Sequence, residues 1–286
     1  LINIKKTQEG IHMKVSRLTG SIGAEILDID ISKDLVDGVI ADIREVLLQH
    51  KVIFFREQAL TPEQQIRFAT RFGDISKSPV YNTLAQHPQI MPVVKEATDQ
   101  DIIGDTWHTD ETFQKTPPMG SLLYAREIPT VGGDTLWSNL GMAFAQLSDG
   151  LQQRLLTMKA VHSNDFLTAN AKARNSTRST KLREDAPVMN SLHPVVRTHE
   201  ETQEKILFVN QPFTYAFEGM TREESLPLLM YLYQVSSKPQ MTCRFKWRKG
   251  SLAFWDNRCT MHYACNDYSG ERREMHRITI EGSVPQ

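Results

Sequence analysis

From Leu35 to His50 apolar residues recur three and four positions apart, the period of one face of an α-helix, and the pattern then changes abruptly. Val52-Ile53-Phe54-Phe55 is an unbroken β-branched and aromatic run, which predicts a short buried strand. Thr61-Pro62-Glu63-Gln64 follows, with an N-cap threonine, proline at the first helical position and a reciprocal glutamine. A helix is therefore expected from Pro62 to about Phe72. Upstream, Lys14 to Ile31 reads as short extended segments broken by Gly20 and Gly23. Between Gly104 and Trp137, Pro117-Pro118 and Gly132-Gly133 punctuate a strand pattern around Ser121 to Arg126. Helical periodicity is expected from Gly141 to Val161 and from Arg222 to Val235, with strand-like runs at Pro194 to Arg197 and Ile206 to Val209. Met241 to Ile280 alternates short aromatic and β-branched runs, a return to sheet.

Many short strands with a few helices inserted predict a mainly β fold with flanking helices, a sandwich or jelly roll rather than alternating α/β. A chain of 286 residues can bury a large core, and one domain over residues 14–286 is the simplest organisation. The stretch 164–188 is polar and rich in Arg, Lys, Ser and Thr, and is expected as a lid-like insertion. Residues 1–13 are polar and lack the apolar core of a secretory signal. Met13 is a candidate start, and what precedes it is expected to be a leader or appended remnant outside the fold.

Composition narrows the partners. Lys plus Arg total 33 against 34 Asp plus Glu, a net charge of -1, so no global field favours nucleic acid or an acidic membrane. No run approaches the roughly 18 apolar residues of a membrane span. Three cysteines, Cys243, Cys259 and Cys265, match neither a zinc-ribbon nor a C-x-x-C spacing, and a reducing, cytoplasmic setting is expected. A homo-oligomer is left open.

The candidate chemistry begins at Trp107-His108-Thr109-Asp110. In an extended segment residues two apart share a face, so His108 and Asp110 could bind one metal, although such a triplet also occurs as ordinary hydrogen-bonded side chains. The distal segment Trp255 to His262 follows an apolar run with a lone histidine that sheet pairing could bring beside the first two. Two imidazoles and one carboxylate leave a metal with open positions, as a non-haem Fe(II) oxygenase requires. A zinc hydrolase could use the same ligands. Arg273 and Arg277 are four apart, so both lie on one face of a strand, where guanidinium forks can grip carboxylate or sulfonate oxygens; a solvated charged turn is the plainer alternative. The remaining histidines near these motifs, His162, His193, His199 and His276, are expected to be structural. The tryptophans at 107, 137, 247 and 255 are expected to line core or pocket wall.

Several ordered motifs then carry a resemblance: Trp107-His108-Thr109-Asp110, Gly132-Gly133-Asp134-Thr135-Leu136-Trp137, His193 to His199, Phe208-Val209-Asn210, and Trp255-Asp256-Asn257 through His262-Tyr263-Ala264 to Arg277. From about Lys14 onward the chain resembles the taurine dioxygenase and 2,4-dichlorophenoxyacetate dioxygenase family. The resemblance implies a double-stranded β-helix, a distorted jelly roll. It implies Fe(II) held by His108, Asp110 and His262, with 2-oxoglutarate and O2 as co-substrates. Arg273 and Thr135 would receive 2-oxoglutarate, and Arg277 would meet the anion of a small organic substrate. Tyr81 and Phe213 fall where the family has aromatic pocket residues. Ser78 and Gly104 replace a histidine and an asparagine that in taurine dioxygenase surround the substrate amine, which implies an alkyl sulfonate, alkyl sulfate or aryloxyalkanoate without a required amine. A metal-dependent hydrolase on a β-sandwich and a non-enzymatic jelly-roll binding protein remain as alternatives at this level.

Overall fold

A computed structural model describes residues 2–6, 12–169 and 171–286, with side chains from Met13 onward. It consists mainly of β-sheets with helices packed outside them. The largest sheet among the described residues has nine strands. Its path runs Ile2–Lys6, His12–Arg17, Ala24–Leu27, Val52–Phe55, Leu252–Asp256, Gly120–Glu127, Arg273–Ile280 and Ile75–Ser76, and Met91–Lys95 also pairs with Arg273–Ile280. A second sheet orders Thr242–Phe245, Thr135–Asn139 and Thr260–Ala264.

The central strands of the large sheet are buried on both sides, which is why their sequences are continuous apolar runs rather than alternating ones. Ile53, Phe55, Leu122, Tyr124, Leu252, Phe254, Ile278 and Ile280 face the helices Asp37–His50 and Pro62–Thr70 in one core. Val52, Phe54, Leu123, Ala125, Ala253, Trp255 and Met275 face Trp137, Cys243 and Phe245 of the second sheet in another. Period-two alternation then puts Arg273 and Arg277 on the Met275 face, between the sheets. The capping box expected at Thr61 is present: the Thr61 hydroxyl accepts from Gln64 N–H, and Gln64 Oε1 accepts from Thr61 N–H at 2.8 Å.

Three expectations change. Gly141 to Val161 is not one helix but two, Leu140–Ala145 and Asp149–Leu155, followed by the strand Lys159–Ser163. Ser148 has an extended backbone (ψ 149°) that interrupts the helical path, and Lys159–Ser163 is claimed by strand partners Asn190–Pro194 and Thr214–Phe217. The polar insertion holds two short helices, Asp165–Ala169 and Ala171–Thr177, neither with a fully buried residue, so no apolar stripe announced them. Its far end is tied to the body where Thr180 Oγ1 accepts from Val94 N–H at 2.7 Å and donates to Val94 O at 2.9 Å. Finally, the boundary set at Lys14 falls inside a hairpin: Ile2–Lys6 pairs with His12–Ser16, and the Met13 side chain is buried in the core.

Candidate metal and co-substrate site

Two backbone hydrogen bonds assemble the candidate metal-ligating residues. His108 N–H donates to His262 O at 3.0 Å and His262 N–H donates to His108 O at 2.7 Å, a single antiparallel bridge between distant segments. The intervening Thr109 turns away, its hydroxyl donating to Thr260 O at 2.9 Å, so His108 and Asp110 share the opposite side. Asn257 clamps Asp110 from behind: its Oδ1 accepts from Asp110 N–H at 2.9 Å, and its Nδ2 donates to Asp110 O and to Pro118 O at 3.1 Å.

The result is a convergent donor set. Nε2 of His108 and of His262 lie 3.6 and 3.7 Å from Asp110 Oδ1. His108 Nδ1 sits 2.7 Å from Thr106 O, which places its proton on Nδ1 and leaves the Nε2 lone pair facing inward. Burial depresses both imidazoles below their ordinary pKa, His262 well below. Burial pulls the Asp110 carboxyl upward, but Arg277 opposes it and the carboxyl stays below its usual range. Neutral imidazoles and an ionised carboxylate are the protonation states a divalent cation needs, and the set fits Fe(II) with coordination positions to spare. A second buried group, His199, Asp256 and Cys259, also brings ligand-type atoms together. There, both Asp256 oxygens are already spent on Arg258 and on His199.

Thr135 lies on the strand paired with that of His262, and the structure gives it a partner in Trp247, which the sequence reading placed in core or pocket wall. The Trp247 indole donates to Thr135 Oγ1 at 3.0 Å, which frees the threonine proton for another acceptor. Thr135 and His262 lie on neighbouring strands, with Ala264 opposite Thr135 and Trp137 opposite His262. The Trp255 ring stands 4.8 Å from the His262 ring. Arg273 is buried, and its Nε and Nη2 have no hydrogen-bond partner. Two uncommitted buried guanidinium donors are costly, so the geometry is complete only with an anion against them.

Arg277 is placed differently. Its Nη2 lies 2.9 Å from Asp110 Oδ2, which Ser121 Oγ also approaches at 3.1 Å, so this arginine steadies a metal ligand as well as lining the cavity beside it. The cavity wall includes Val80, Tyr81, Ile102, Phe113, Leu167 and Phe213, apolar for most of its extent. Gly104 also borders it. With φ at +87° and a Cβ that would come 3.0 Å from His108 Cε1, a side chain there would press on the imidazole. Ser78 is not brought into this cavity; its hydroxyl donates to Glu111 Oε1 at 2.5 Å, and Glu111, whose pKa burial raises, stands at the wall instead. Arg174 and Arg178, from the insertion, complete the wall; an Arg-rich polar run gave no sign that either would be covered.

The structural histidines hold the segment after Asp110. Thr112 Oγ1 meets His162 Nδ1 at 2.9 Å and accepts from Asn210 Nδ2 at 3.0 Å, while His193 Nε2 meets Gln114 O at 2.9 Å.

A family model described as taurine catabolism dioxygenase TauD, TfdA family matches residues 14–279. The chain is 35% identical over 286 residues to an alkylsulfatase of Acinetobacter baylyi, covering 95% of this chain and 86% of that protein. It is 34% identical over 288 residues to an alpha-ketoglutarate-dependent sulfate ester dioxygenase of Pseudomonas putida, covering 96% and 91%. The crystal structure of a taurine dioxygenase from Burkholderia xenovorans superposes with a TM-score of 0.81 at 36% identity, covering 96% of this chain and 92% of that one.

Proposed function

Since the chain belongs to the taurine catabolism dioxygenase TauD, TfdA family and is an Fe(II)- and 2-oxoglutarate-dependent dioxygenase, we propose how its residues divide the work. His108, Asp110 and His262 hold the iron, Arg273 and Thr135 receive 2-oxoglutarate, and the cavity bordered by Arg277, Tyr81 and Phe213 takes the substrate. The sheets and helices then correspond to a double-stranded β-helix, with the insertion 164–188 as its cover. The observation that carries this assignment is the convergence of two Nε2 atoms on Asp110 Oδ1, together with a buried Arg273 whose Nε and Nη2 are unpaired.

Bound iron supplies the redox chemistry that couples decarboxylation of 2-oxoglutarate, to succinate and CO2, with hydroxylation of the substrate. The chain's own residues orient and shield. Thr106 fixes the His108 tautomer, and Arg277 with Ser121 holds Asp110 Oδ2 so that Oδ1 faces the imidazoles. Arg273 offers Nε and Nη2 as a fork to the far carboxylate of 2-oxoglutarate, and Trp247 aims the Thr135 proton at the same molecule.

For the substrate we propose a small organic anion with an apolar body: an alkyl sulfate first, then an alkyl sulfonate or aryloxyalkanoate. Apolar walls, a Gly104 that offers no amide and a Ser78 turned toward Glu111 support this over an amine-bearing substrate such as taurine. Hydroxylation at the carbon bearing sulfate would yield an unstable product that collapses to an aldehyde and free sulfate. The cytoplasm is the proposed setting, and among the described residues no helix is long and apolar enough to cross a membrane. The test is succinate formation with Fe(II), 2-oxoglutarate and O2 across alkyl sulfates, alkyl sulfonates, aryloxyalkanoates and taurine. Stimulation by alkyl sulfates that is lost in His108→Ala supports the assignment. Efficient turnover of taurine alone overturns the substrate class, and full activity in His108→Ala overturns the metal site.

A further inference from the structure

The insertion contributes charge to the cavity that none of the assigned roles uses. Arg178 is 4% exposed, yet its Nε and Nη2 have no hydrogen-bond partner, and the buried Nε of Arg174 has none. Both side chains line the same cavity as His108, Asp110 and Arg277. Their surroundings offset them only in part: Asp101 and Asp105 lie within electrostatic reach of Arg178, and Asp105 borders the cavity. No carboxylate forms an ion pair with either among the described residues, and the Arg174 guanidinium lies 4.6 Å over the Phe166 ring, which itself lines the cavity. Arg277, by contrast, is already matched by Asp110 at 2.9 Å. Tyr81 stands within electrostatic reach of Arg174, Arg178 and Arg277 together.

A solvated face cannot account for this arrangement, because Arg178 is withdrawn from water while three nitrogens of the pair remain unpaired. Taking a guanidinium out of water without partners is costly, and the cost is removed only when an anion occupies the cavity. One arginine beside the metal and two in the cover make two positive poles facing one largely apolar cavity.

We propose that Arg174 and Arg178 form a second anion-binding subsite, so that the preferred substrate carries one acidic group near the reacting carbon and another at its far end: an alkyl sulfate or sulfonate with a terminal carboxylate. This rests on the cavity being the substrate pocket, and it narrows that reading from a monoanion to a dianion. Planar, five-donor guanidinium groups suit a carboxylate or sulfonate by paired hydrogen bonds, and both poles must be satisfied for the cover to pack over its ligand.

The experiment is calorimetric binding to the Fe(II)- and 2-oxoglutarate-loaded protein under anaerobic conditions, which needs no turnover, comparing hexyl sulfate with its homologue bearing a terminal carboxylate. The unmodified protein is expected to bind the dianion at least about tenfold more tightly. Arg178→Met and, separately, Arg174→Met are each expected to reduce that preference to less than about threefold, acting on the dianion far more than on hexyl sulfate. Thermal melting establishes that each variant is folded, and the two variants give independent readings. Equal affinities for the two compounds in the unmodified protein overturn the proposal, as does a preference that survives both substitutions. Should neither compound bind while 2-oxoglutarate binds normally, the substrate class fails together with the subsite. Hexyl sulfate binding without the preference spares the class and removes only the subsite.

Discussion

Two clusters of buried charge lie on either side of the Asp256–His262 segment, and they are built on opposite principles. Behind the segment, Asp256 Oδ1 accepts from Arg258 Nε at 2.9 Å and Oδ2 from Arg258 Nη2 at 2.7 Å and His199 Nε2 at 2.9 Å. Glu201 in turn pairs with Arg258 Nη1 at 2.7 Å and with Arg44 at 2.8 Å. In front, Arg273 and Arg178 present buried guanidinium nitrogens with no partner. The rear cluster is closed by the chain's own groups and fixes where the metal-ligating strand begins. The front cluster is held open by the fold, and its missing partners must come from solution. Burial alone therefore does not distinguish a structural charge from a functional one; unpaired guanidinium donors at the candidate site call for an external anion, whereas unpaired atoms such as His162 Nε2 and Arg197 Nε occur outside it as well.

The most damaging way to break this contrast is to open the closed cluster. Asp256→Ala leaves Arg258 and His199 buried without their main acceptor, and a loss of about 3–5 kcal/mol in unfolding free energy is expected. Urea denaturation measures it, and a change under about 1 kcal/mol would dissolve the distinction. The same substitution carries a pH signature. Asp256 is raised by burial but overridden by Arg258, so its folded pKa lies well below the ordinary 3.8. A depressed carboxylate contributes stability that is fully present above the unfolded pKa and is lost as pH falls below it. The unmodified protein should thus lose stability more steeply than Asp256→Ala below about pH 4; parallel curves of denaturation midpoint against pH would contradict this.

Removing a charge from the open cluster should act with the opposite sign on stability. Arg273→Met deletes a buried cation with two unpaired donors, so the protein without co-substrate should melt at about the same temperature or higher. Its apparent KM for 2-oxoglutarate should rise about 10- to 100-fold, the equivalent of ~1.5–3 kcal/mol for hydrogen bonds to a charged group, with a much smaller change for the prime substrate. A lowered melting temperature, or equal effects on both KM values, would reassign Arg273 to the structural class. The smallest effect sharpens the boundary between the two. Trp247→Phe keeps the ring in the core but removes its donation to Thr135, and a rise of about 2- to 10-fold in apparent KM for 2-oxoglutarate is expected, near 0.5–1.5 kcal/mol. No change in that KM would return Trp247 to a packing role alone.

The open cluster was also the less legible of the two in the sequence, and unevenly so. His108, Asp110, His262, Arg273 and Thr135 were legible as candidates because each sits in a short motif whose order along the chain is distinctive. Even spacing alone put Arg273 and Arg277 on one face, and the Met275 face between the sheets is where they lie. Arg174 and Arg178 could not be found that way. Their burial depends on Tyr81, Phe166 and the body of the protein closing around them, and a polar run reads as solvated until something covers it. Glu111 was hidden for a related reason: it follows a metal ligand and was overlooked beside it, yet it takes the hydroxyl of Ser78 that was expected to face the substrate. In the fold, strongly capped helices such as Pro62–Thr70 were readable, whereas the break at Ser148 required knowing that Lys159–Ser163 had strand partners on both sides.

The backbone bridge between His108 and His262 has a consequence for how the enzyme tolerates losing its metal. The two histidines are registered through their own peptide groups, and Asp110 is registered through Asn257, so the backbone at all three is held without the ion. Chelation should strip activity without loosening the domain, and iron should return to a site that has kept its shape. Starvation for iron would then idle this protein rather than destroy it, leaving a standing pool ready to resume work as soon as the metal is resupplied.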